Sequence, residues 1–107
     1  MTTIEENREE VTLINVFTVD PDDQQRLTDL LVEATEETMK DIPSYVSANI
    51  HTSFDGERVV NYAHWESAEA FEAMPENPEV AAHMEAASDI ATADFHLYEV
   101  AYTHEAD

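Results

Sequence analysis

Hydrophobic and polar positions alternate through "VTLINVFTV" (residues 11–19). The alternation puts Leu13, Asn15 and Phe17 on one side of an extended chain and Ile14 and Val16 on the other, as in a strand. The period lengthens after "DPDD", where Asp20 can cap a helix, Pro21 suits its first position, and Asp22 and Asp23 meet the positive end of the helix dipole. A helix to about Met39 is predicted, with Leu27, Leu30, Leu31, Ala34 and Thr38 as its inner stripe and Asp29, Glu33, Glu36 and Glu37 mostly outside. "DIPS" breaks the chain, and two strands follow, "YVSANIHTSF" (45–54) and "ERVVNYAHW" (57–65). Between them Asp55-Gly56, which uses the only glycine, predicts a two-residue hairpin turn. Counting back from that turn sets Thr52 opposite Val59, Ile50 opposite Asn61, Ala48 opposite Ala63 and Val46 opposite Trp65. Ser67 caps a short helix, "AEAFEAM", halted by Pro75. Asn77 and Pro78 restart helix as "PEVAAHMEAASDIA", with Val80, Met84, Ala87 and Ile90 at core spacing and His83 at the edge of that stripe. "DFHLYEVAYTH" (94–104) reads as the last strand.

The order βαββαβ predicts an α+β, ferredoxin-like fold: a four-stranded antiparallel sheet with helices on one face. The helix-covered face should be the more apolar one, with Leu13, Phe17, Val46, Ile50, Val59, Ala63 and Trp65. The other face holds Ile14, Val16, Val60 and Tyr62 together with one set from the last strand, too apolar for water. Covering it with the same face of a second copy predicts a homodimer, sheet on sheet. The domain is expected to span residues 11–104, after a flexible acidic arm at residues 1–10.

Composition sharpens this picture. The 107 residues suffice for one modest core, and with no cysteine there is neither a disulfide framework nor a thiolate metal site. "MTTIEENREE" is unlike a signal peptide, and no apolar run approaches the roughly 20 residues of a membrane span, so a soluble cytoplasmic protein is expected. Asp plus Glu number 25 against 4 Lys plus Arg, a formal charge of −21. Disorder does not follow, because 43% of residues are hydrophobic and they recur periodically. Carboxylates spread through every segment instead predict a halophilic protein, whose self-repulsion salt must screen. A nucleic-acid mimic would cluster its acids on one face, and nucleic-acid binding itself lacks the basic stripe it needs. The histidines lack close ligand spacing, so no metal site is expected.

The chemistry concentrates in "VVNYAHW" (59–65). An amide inside a strand must pair with something, since burying it unpaired costs about 1–3 kcal/mol. Asn15 falls on the same apolar face as Asn61, and two amides there favour a polar cavity over coincidence. With "RVVNYAHWESAEAFEAM…PEVAAHM" and "HLYEVAYTH", the chain from Val11 to His104 resembles the antibiotic biosynthesis monooxygenase (ABM) family of dimeric α+β barrels.

The resemblance implies a dimer with a pocket between sheet and helices in each protomer, where some members oxidise polycyclic phenols to quinones with O₂ and no metal or flavin. It implies Asn61 and Trp65 as the catalytic pair, Asn61 holding a phenolate or reduced-oxygen atom and Trp65 stacking a flat substrate. Asn15, Phe17, Ile50, Phe71, His83 and Met84 are the expected substrate-binding residues. The tyrosines and arginine of quinone-forming members are replaced here by Ile50, Phe71 and, near the arginine's place, Glu85. Haem-degrading relatives offer an alternative cofactor reading, in which Asn15 and His83 match a distal Asn and an axial His while Met74 lies near the place of their Trp. Three function classes therefore stand: cofactor-independent oxidation of a small aromatic or quinol-like molecule by O₂, haem binding or degradation, and a ligand-binding or stress-related dimer without chemistry.

Overall fold

The computed structural model describes residues 10–106. Four strands, β1 (Val11–Val19), β2 (Tyr45–Thr52), β3 (Arg58–Trp65) and β4 (Ala91–Tyr98), form one sheet in the order β2-β3-β1-β4. All three neighbouring pairs are antiparallel. The helices α1 (Gln24–Glu37), α2 (Ala68–Ala73) and α3 (Pro78–Ser88) complete the ferredoxin-like α+β fold. The expected acidic arm at residues 1–10 lies, save for Glu10, outside the described residues. No helix among the described residues is long and apolar enough to cross a membrane.

The helix starts follow their caps. Asp20 accepts from the Asp22 N–H and opens a 3₁₀ turn, Pro21–Asp23, that leads into α1. Ser67 accepts from the Ala70 N–H, and Asn77 from the N–H groups of Glu79 and Val80. Under α1, fully buried Leu27 joins Phe17, Val19, Val59 and Ala87 in one core cluster. Burial of a side chain like Leu27 is worth about 1.5–3 kcal/mol. A second cluster gathers Leu13, Ala63, Trp65 and Phe71 at the other end of the sheet.

Four local expectations are corrected. The first is the turn between β2 and β3. Asp55 does not take the positive φ that a two-residue Asp-Gly turn demands; only Gly56 does, at +79°. The Gly56 N–H closes a turn on Ser53 O (3.2 Å), and Asp55 accepts from the Ser53 hydroxyl, the Glu57 N–H and Arg58. The longer loop leaves the register at Thr52–Val59 as counted.

The second correction follows from an irregularity between Tyr45 and Ser47, which puts Tyr45, not Val46, opposite Trp65. Val46 is turned out and 44% exposed. Third, α3 stops at Ser88 and not at Ala91, because Ala91 pairs with Val19 to start β4. Fourth, β4 ends at Tyr98, well short of residue 104. Tyr98 already faces Thr12, one residue from the start of β1 at Val11, so among the described residues the β1–β4 ladder runs out there. The first helix likewise closes at Glu37 and tightens into a 3₁₀ turn, Met39–Asp41.

Candidate functional site

Strand parity decides what faces the helices. Asn15 and Asn61 are direct partners across the β1–β3 ladder, as are Leu13 and Ala63, and both pairs point toward the helical layer. Four residues beyond Asn61 on the same side of β3 stands Trp65, 2% exposed. These side chains line a cavity of about 230 Å³ between sheet and helices. The space exists because small side chains floor and roof it, namely Ala34, Ala48, Ala63, Ala87, Ala91 and Ala93.

One wall is aromatic. The Trp65 indole meets Tyr45 edge-on (centroids 5.7 Å, 76°) and Phe71 likewise (5.9 Å, 71°), and Phe71 meets Phe95 (5.9 Å, 64°). The polar content is sparse and unpaired. Asn15 Oδ1, Asn61 Oδ1 and Trp65 Nε1 are all buried without a hydrogen-bond partner. Each such group costs about 1–3 kcal/mol if left unmade. Three of them converging on one cavity mark a place prepared for a guest that offers hydroxyl donors to the two amide oxygens and an acceptor to the indole N–H.

The electrostatics are equally selective. Although the chain carries −21, the described lining residues include no Asp, Glu, Lys or Arg. The titratable side chains among them are Tyr45 and His83. Burial pushes the Tyr45 phenol up, so it remains a neutral donor. His83 lies between this cavity and a shallower acidic concavity bordered by Glu36, Glu37, Thr38, Lys40, Asp41 and Glu79. Thr38 Oγ1 is 3.1 Å from His83 Nε2 and donates to Glu79 Oε2 at 3.3 Å.

Of the expected site residues, the cavity brings together Asn15, Phe17, Asn61, Trp65, Phe71, His83 and Met84, with Met84 exposed enough (41%) to form part of the rim. Ile50 is a correction. It pairs with Asn61, but its side chain is taken up by the Phe17, Val19, Leu27 and Val59 core and does not line the cavity. Tyr45 was missed, since a strict alternation from the hairpin gave its place opposite Trp65 to Val46. No group of His and acids among the described residues is arranged to hold a metal ion.

The cavity also fits a haem poorly. His83 Nε2 is engaged by Thr38, and no Lys or Arg lines the wall to pair with propionates.

Fold and cavity together define a ferredoxin-like α+β protein with an uncharged, aromatic-walled chamber between its sheet and helices. The chain belongs to the antibiotic biosynthesis monooxygenase family, whose model matches residues 10–86. It is 45% identical over 85 residues to the tetracenomycin-F1 monooxygenase of Streptomyces glaucescens, spanning 79% of this chain and 76% of that protein. A Streptomyces coelicolor monooxygenase solved with the ligand nanaomycin D superimposes with a TM-score of 0.75 at 31% identity. That match covers 92% of this chain and 95% of the other. The fold is also that of SnoaB, a cofactor-independent oxygenase from Streptomyces nogalater, here as a mutant (TM-score 0.77, 22% identity, 89% and 96% covered).

Proposed function

We propose that this protein is a cofactor-independent monooxygenase that uses O₂ to oxidise a polycyclic phenol to a quinone. The observation that carries this reading is the convergence of three unpartnered polar atoms, on Asn15, Asn61 and Trp65, in a charge-free aromatic chamber. The names of the relatives add weight, since one is a tetracenomycin-F1 monooxygenase and another is a monooxygenase solved with nanaomycin D. In the net reaction a phenol and O₂ give a quinone and water. One oxygen atom becomes the new carbonyl, the other leaves as water, and the ring supplies the electrons. A deprotonated phenol is itself the reductant.

The protein's part is then positional and electrostatic. Trp65 presents a flat apolar face to the rings and an N–H to an oxygen. The unpartnered Oδ1 atoms of Asn61 and Asn15 accept from the substrate's hydroxyl groups and hold the ring in place, while the Trp65 N–H donates where negative charge grows. The low polarity of the chamber strengthens each of these interactions. We read the working unit as a cytoplasmic homodimer joined through the open sheet face, where half-buried Ile14, Val16, Val60 and Tyr62 lie.

The test is turnover in ¹⁸O₂ with a panel of anthrone-like and hydroxylated polycyclic phenols, after treatment of the protein with a chelator. One labelled oxygen per quinone, at a rate far above buffer, supports the reading. Tight binding of the same compounds without oxidation would replace it with that of a ligand-binding protein.

A further inference from the structure

We infer that His83 is the base that removes the phenolic proton, held in its working tautomer by Thr38 and Glu79. The inference deepens the monooxygenase reading and rests on it. Oxidation of a phenol by O₂ without a cofactor begins with loss of a proton, because the phenolate is the better electron donor. Among the described cavity-lining residues, His83 is the one whose side chain carries a basic ring nitrogen. Tyr45, the other titratable one, stays a neutral phenol.

The hydrogen bonds assign the nitrogens. Glu79, as a carboxylate, can only accept, so the single Thr38 hydroxyl proton is given to its Oε2. Thr38 Oγ1 therefore accepts from His83, which puts the ring proton on Nε2 and leaves Nδ1 with a free lone pair. In the proposed step the substrate O–H bond breaks, an Nδ1–H bond forms, and the electron pair stays on the substrate as phenolate. The resulting imidazolium faces Glu79 on α3, Glu36 and Glu37 on α1, and Asp41 with Lys40 on the following 3₁₀ turn, while Tyr45 of β2 faces the cavity itself. That surrounding carries four carboxylates against one ammonium. Thr38, 6% exposed at the end of α1, reaches two residues of α3 and does not itself line the cavity, so it acts as a positioning residue, not a catalytic one.

The closing experiment separates this role from turnover. A coloured hydroxyanthraquinone, whose phenolate absorbs at longer wavelength than its phenol, is titrated with pH while bound to the full chain. With wild type, the ionisation midpoint of the bound dye should move at least one unit below that of the free dye. With His83→Gln, which keeps a donor for Thr38 but has no basic nitrogen, the shift should vanish while binding persists. Glu79→Gln, an exposed change, should bring the midpoint part of the way back. A shift retained in His83→Gln, no shift in wild type, or no dye binding at saturating protein overturns the inference. If the His83-dependent shift is present but no phenol is oxidised in ¹⁸O₂, the base stands as the group that ionises a bound phenol and the monooxygenase reading falls.

Discussion

Asn15 and Asn61 face each other across the β1–β3 ladder, and neither Oδ1 has a hydrogen-bond partner although both are buried. Two amides side by side could have paired with one another; here both acceptors are left to the cavity. This is stability held back for binding, and it can be measured. Asn61→Leu removes an unsatisfied group and should leave the unliganded fold as stable or more so, by up to about 1–3 kcal/mol. The same change should cut turnover on the order of 10²-fold, because the acceptor that orients the substrate hydroxyl is gone and a misplaced substrate reacts that much more slowly. Chemical denaturation and initial rates on one preparation check both halves.

Trp65 separates packing from polarity. Its indole touches Tyr45 and Phe71, so Trp65→Ala should cost about 3–5 kcal/mol and endanger the fold. Trp65→Phe keeps an aromatic edge for both neighbours and loses the unpartnered Nε1–H. Near-wild-type unfolding with weakened ligand binding, read by calorimetry, is the expected result.

Tyr45 predicts an alkaline limit. Burial raises its folded pKa above that of a free tyrosine, so the fold favours the protonated phenol. The stabilisation is complete below the unfolded pKa and is lost as pH rises through the folded one. Stability should therefore decline above about pH 10, and Tyr45→Phe should flatten that decline. Thermal midpoints of the two proteins between pH 8 and pH 11 provide the comparison.

Much of this was legible in the chain. Alternation in "VTLINVFTV" and "RVVNYAHW" placed Asn15, Asn61 and Trp65 on one face, and the caps Asp20, Ser67 and Asn77 opened the helical segments where expected. The misses were those that local pattern cannot carry. The irregularity at Tyr45–Ser47 swaps a tyrosine for a valine beside Trp65, and no residue there announces it. The end of β4 is set by where β1 begins, a fact of pairing at a distance. The Thr38–His83–Glu79 contact joins residues 41 and 45 positions apart, so it too needed the fold.

The charge makes a separate prediction. A chain at −21 repels itself, and the screening length falls from about 10 Å at 0.1 M salt to about 3 Å at 1 M. If the acidic surface is a halophilic adaptation, the thermal midpoint should climb steadily across that range and the folded signal should fade on dialysis to low salt. A flat response would remove the halophilic reading.

The open sheet face predicts the assembly. Val60 lies on that face, partly buried, and Ser47 Oγ and His64 Nε2 of the same face are buried without partners. Val60→Lys should turn a dimer into a monomer in light scattering with little change to the secondary structure of the chain. A wild type that is already monomeric at micromolar concentration would contradict sheet-on-sheet pairing.

The central claim is that the amides of Asn15 and Asn61 and the indole N–H of Trp65 exist to meet the oxygens of a flat aromatic guest. A crystal structure with a hydroxylated polycyclic quinone tests it most directly. The account predicts the rings against Trp65 and a ligand oxygen within about 2.7–3.2 Å of the Asn61 amide. A guest seated outside the chamber, or the two amides bonded to each other beside it, would contradict the account.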